Sequence, residues 1–169
     1  TPSDRLQVVG NITNVSPTGG VNPILIGTSS APGGFAPSIF VSGKYAYVGN
    51  GNDNTLQIFD VSTSSPSLIK RVSGVGAGNV YVSGRYAYVI GNGLSIVDIS
   101  SPSNASLTGS VAGASGEVVV SGRYAYTLGT NSIKVFDISN PQNPTAVGSA
   151  SAGTGASPTN IFVQGNYAY

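Results

Sequence analysis

The chain has 169 residues, with no Cys, His or Met, 8% charged residues and a net charge of +1. These absences remove disulfides, Cys/His zinc sites, haem with His, Cys or Met ligands, and Ser–His or Cys–His catalysis within the chain. The near-neutral balance favours no nucleic-acid partner, and no apolar run approaches the roughly 20 residues of a helical membrane span, so no membrane insertion is expected.

With 24 Gly and 10 Pro between short apolar runs, the pattern is one of many short strands joined by turns. One phrase recurs: KYAYVGN from Lys44, RYAYVIG from Arg85, RYAYTLG from Arg123 and NYAY from Asn166. A unit of roughly 40 residues built from short alternating strands buries its apolar face only by stacking on copies of itself. The chain begins with Thr1 and lacks Met, which reads as a processed or excised piece of a longer product.

In chain order, a half unit over 5–28 comes first, with a strand near Arg5 and another at 24–26. Three whole units follow at 36–73, 77–112 and 116–150, and a closing half unit at 159–169. Within the second whole unit, NVYVS (79–83) ends at Gly84, which suits a tight turn. YAYVI (86–90) is a second strand, LSIVDI (94–99) a third after the Gly91–Gly93 turn, and 107–111 a fourth. Four antiparallel strands per unit predict an all-β fold of β-propeller blades, three complete and two half-blades. If strands are lettered in order, the first half unit holds C and D and the last holds A and B, so the two are complementary. A β-solenoid is the rival, disfavoured by the length of the unit and its regular hairpin turns.

Asp60, Asp98 and Asp137 hold one place in successive units, as do Lys44, Arg85 and Arg123. Both turns that carry them fall at the same end of a blade, so each cation is expected beside its own unit's Asp, as a structural turn and ion pair. Asp placed two residues before Ser also suits an Asx turn. Repetition at one position favours a corner that every blade needs over a cation site or an active site. The last unit has Asn166 in place of the cation, and the first has Gly10 in place of the Asp. Both losses fall in the half-blades that would complete each other. Leu6 and Val8 at one end, and Tyr167 and Tyr169 at the other, are therefore read as blade-closing residues. The two tyrosines of each YAY lie on one strand face, with Ala on the other, and are expected to pack against the adjacent blade.

Other candidates carry less. The run Asn50 to Asn54 alternates oxygen ligands but lacks the second carboxylate and Glu of a calcium loop. Glu117 is the single Glu and has no acid–base partner in its unit. The Asn-x-Ser/Thr triplets at Asn11, Asn14 and Asn104 are expected by chance in so Asn-rich a chain. Residues 10–23 form a longer C–D connection than their equivalents, the kind of insertion that often marks a binding face. No catalytic, cofactor or metal residue is assigned.

The third strands read LQIFDVS (56–62), LSIVDIS (94–100) and IKVFDIS (133–139), with an eroded LQVVGNI at 6–12. These strings resemble the LVIVD-repeat family. The resemblance implies a β-propeller of bacterial or archaeal surface-associated proteins, usually of more than four blades, and carries no catalytic motif. The expected function is a non-enzymatic extracellular or cell-surface scaffold. It would self-associate through its half-blades, or have them completed by its own termini or the rest of a longer chain. A carbohydrate-binding propeller using Tyr and Asn side chains on the loops of one face, Asn50, Asn52, Asn92 and Asn131 among them, is the second expectation, with a glycan as partner. An enzyme is the third, and would need two unequal carboxylates that the chain does not offer.

Overall fold

A computed structural model describes residue 25, residues 36–76, 78–129, 131–151, 153, 160–165 and 167–169. Apart from residue 25, the half unit at 5–28, with Leu6, Val8 and Gly10, lies outside the described residues, as do Asn166 and most of 152–159. Fourteen strands are described. The first blade holds β1 (Ser38–Ser42), β2 (Tyr45–Asn50), β3 (Thr55–Asp60) and β4 (Ser67–Ser73). The second holds β5 (Val80–Ser83), β6 (Tyr86–Ile90), β7 (Leu94–Asp98) and β8 (Ser106–Val111). The third holds β9 (Glu117–Ser121), β10 (Tyr124–Gly129), β11 (Ser132–Asp137) and β12 (Thr145–Ser151). Each is a four-stranded antiparallel sheet in chain order, and β13 (Val163–Gln164) with β14 (Tyr167–Ala168) forms a separate hairpin.

The register at the Tyr–Asp end repeats although the connections between the second and third strands, at 51–54, 91–93 and 130–131, differ in length. Tyr45 faces Asp60, Tyr86 faces Asp98 and Tyr124 faces Asp137 across the second and third strands. Gly43, Gly84 and Gly122 close the first turn of each blade, all at φ +58°, a left-handed conformation that glycine adopts without strain. The outer strands share a bulge. One residue is passed over between Ile58 and Phe59, between Ile96 and Val97, and between Val135 and Phe136 of the facing strand. The extra residues are Ile69, Thr108 and Val147, and such an insertion bends and twists the outer strand.

Two faces of each sheet are apolar, which is the condition for stacking. One cluster joins Tyr47, Leu56, Ile58 and Val72 of the first blade to Val80, Ala87, Val89 and Val97 of the second. A second joins Tyr88, Leu94 and Ile96 of the second blade to Val118, Ala125 and Phe136 of the third. The same register positions thus meet at both junctions. Tyr47 and Tyr88 are buried at these contacts, while Ala87 and Ala125 let the neighbouring sheet approach.

Candidate functional site

Two repeated constellations carry the polar chemistry, and the first is the corner. Lys44 Nζ lies 3.7 Å from Asp60 Oδ2, while Arg85 Nη2 and Arg123 Nη2 hydrogen-bond Asp98 Oδ2 and Asp137 Oδ2. The other carboxylate oxygen accepts the backbone N–H of Ser62, Ser100 or Ser139, each at 2.9 Å. Each cation also lies over the ring of the following tyrosine, at 5.3, 5.3 and 5.1 Å from the centroids of Tyr45, Tyr86 and Tyr124.

These bonds hold the carboxyl groups in the charged form. Asp98 is lowered to about 2, first by the hydrogen bond from Arg85 and then by Ser100. Asp137 is lowered to about 2, first by Ser139 and then by Arg123. Asp60 is lowered chiefly by Ser62. A general acid at neutral pH needs the opposite shift.

The second constellation lies on the innermost strands, between blades. Ser38 Oγ accepts the Val80 N–H at 3.1 Å, Asn79 Oδ1 the Val118 N–H at 3.4 Å, and Glu117 Oε2 the Ile161 N–H at 3.0 Å. Ser38, Asn79 and Glu117 all stand seven positions before the first tyrosine of their unit, and each donor stands six before. One blade's side chain therefore takes the next blade's edge-strand amide. Glu117, solitary when its own unit is read alone, finds its partner in the following unit. Sequence reasoning missed this row because its residue type changes. Aligning the units on YAY shows Ser, Asn, Glu and Asn in one column, and every one can accept a hydrogen bond.

Among the described residues, both ends of the array are open. Ile39 and Val41 are 62% and 59% exposed, whereas their equivalents Val80, Val82 and Val118 are 3%, 9% and 2% exposed. At the other end Tyr169 is 71% exposed, against 3% and 5% for its equivalents Tyr47 and Tyr88, and Tyr167 is 70% exposed where Tyr45, Tyr86 and Tyr124 are half-buried. The terminal hairpin is nevertheless seated. Phe162 and Tyr169 exchange backbone hydrogen bonds at 3.0 and 2.8 Å, and Ile161 is buried beside Glu117.

The loop asparagines do not form one exposed set. Asn50 is buried at the end of β2, where its Oδ1 accepts the Asn52 N–H at 3.1 Å. That corrects its place in the glycan-binding expectation, because the strand end turns it inward. Asn92 lines a cleft of about 430 Å³ between the first two blades, with Asn54, Ser95 and Ser110. Asp53 in the Asn-rich loop pairs with Arg71 at 3.4 Å. Among the described residues no three His, Cys, Asp or Glu side chains converge on a metal-sized site, and no helix is long and apolar enough to cross a membrane.

Successive four-stranded antiparallel sheets, stacked face to face and linked along their innermost strands, define a β-propeller module. The LVIVD repeat matches at residues 33–73, 76–112 and 112–151, and the chain belongs to the LVIVD repeat family. No curated protein matches the chain in sequence.

Several solved structures are similar in fold. A functionally unknown protein from Desulfotomaculum acetoxidans DSM 771 aligns with a TM-score of 0.60 at 23% identity, over 68% of this chain and 41% of its own. The computationally designed Ika4 protein aligns at 0.65 and 13% identity, over 88% and 91%. A 6-phosphogluconolactonase-like protein from Bacteroides fragilis NCTC 9343 aligns at 0.64 and 16%, over 82% and 50%. The chain thus spans about two fifths of the first protein's length and half of the third's. At these identities the likeness is one of fold alone.

Proposed function

We propose that the protein is a non-enzymatic, extracellular or cell-surface propeller module. It acts as a structural and adhesive scaffold whose incomplete end blade is completed by strands from a partner chain or from the rest of a longer polypeptide. The observation that carries this reading is the hairpin of β13 and β14. In the three complete blades the second strand is flanked on both sides, whereas among the described residues β14 pairs with β13 alone. An edge strand with unpaired backbone groups accepts an added strand.

The corner chemistry supports a scaffold over an enzyme. Equal Asp and Lys or Arg residues recur in equal surroundings, each engaged within its own blade, and their carboxyl groups are held ionised. Light scattering of the isolated chain tests the reading. A mass of two chains, or one that climbs with concentration, is expected. A single-chain mass at every concentration with the Ala168 amide protected from exchange would contradict it, because the edge strand would then be completed within the chain itself.

A further inference from the structure

We infer that Asn160 docks a second copy of this chain, its side-chain oxygen accepting the backbone N–H of Ile39 in that copy. This rests on the reading that the open ends are joined to other material, and it names the material and the contact. The inner-strand row supplies the template. Three times in succession the residue seven before the first tyrosine accepts the N–H six before the next one.

Asn160 is the fourth member of the acceptor column. It is exposed, and no described residue bonds its side chain. Ile39 heads the donor column, and no described residue precedes it in the series. Its N–H is correctly aimed. Along an antiparallel edge strand alternate amides turn into the sheet and away from it. Ile39 pairs with Val48 as Val80 pairs with Val89, and Val80 turns its N–H outward to Ser38.

The surfaces around the two groups agree. Ile39 and Val41 present the face that Val80 and Val82 bury at the first junction, and Tyr167 and Tyr169 present the face that Tyr45 and Tyr47 turn to the next blade. Neither open end covers the other, since both remain exposed. Joining them between copies continues an interface that the chain already makes twice between complete blades.

Sedimentation of four proteins tests this: the wild-type chain, Asn160→Leu, Ile39→Pro and Asn160→Asp. Proline is tolerated on an edge strand where the amide faces off the sheet, so Ile39→Pro deletes the donor while keeping the blade. A thermal melt of each variant checks that it is folded. Asn160→Leu and Ile39→Pro are expected to weaken self-association about tenfold each, the loss of a buried hydrogen bond with its partner left unmet. Asn160→Asp keeps an acceptor, as Glu117 does, and should associate as the wild type does. An equimolar mixture of Asn160→Leu and Ile39→Pro should associate more tightly than either alone, because one intact acceptor meets one intact donor. A wild-type chain that stays single would overturn the second copy as the occupant, while leaving completion by the rest of a longer polypeptide standing. Wild-type association that neither variant weakens would overturn the Asn160–Ile39 contact while leaving the scaffold reading in place.

Discussion

Replacing Gly116 with Ala should cost about 3 kcal/mol of stability, the largest loss expected from adding a methyl group at any described glycine. An added Cβ would sit 1.7 Å from the Leu128 carbonyl oxygen, and the residue also holds φ +72°. That oxygen belongs to β10, so relief requires moving a strand rather than a side chain. The same approach recurs one blade earlier, where the Gly78 N–H donates to the Ile90 oxygen at 2.6 Å. Gly122→Ala is the control. It has φ +58° with nothing within 4 Å of an added Cβ, so only the left-handed backbone penalty of about 1 kcal/mol applies. Denaturant melts of the two variants should differ by about 2 kcal/mol. Equal losses would mean that β9 and β10 do not meet at this glycine as described.

Phe136→Ala should cost about 4 kcal/mol, the range for truncating a fully enclosed aromatic side chain. Phe136 is 1% exposed and lies in the cluster with Tyr88, Leu94 and Ile96 of the preceding blade. Because stability in a stacked array sums over neighbouring interfaces, the loss falls on one junction. Unfolding by denaturant should then separate into two steps, with the third blade and the terminal hairpin released before the first two blades. A single cooperative transition, merely shifted, would show that the junctions are not energetically separable.

The frame of this fold was legible because the tyrosines, the turn glycines and the Asp of the third strand repeat with fixed chemistry. Three complete blades and their strand order could be counted from those residues. What repeats in geometry but not in chemistry was hidden. The bulged residues Ile69, Thr108 and Val147 are all β-branched, but that type is common to strands in general and so does not mark a bulge. The inter-blade acceptors Ser38, Asn79 and Glu117 differ in size and charge, and only their common oxygen matters. The closing half unit at 159–169 holds a short ladder among its described residues, because β13 spans Val163–Gln164 and only the Phe162–Tyr169 pair extends it. The buried Asn50 was misplaced for a similar reason, since a polar residue at a strand end looks like loop until its neighbours are known.

The blades are locked edge to edge by side chains that reach across to the next inner strand. Amide hydrogen exchange in dilute solution, below any self-association, tests that most directly. Val80, Val118 and Ile161 turn their N–H groups off the sheet, where an unbonded amide exchanges quickly, and Ile39 is the matching amide with no described acceptor before it. The three should be protected to an extent approaching their sheet neighbours, with Ile39 exchanging far faster. If all four exchange alike and quickly, the blades are not joined in this way.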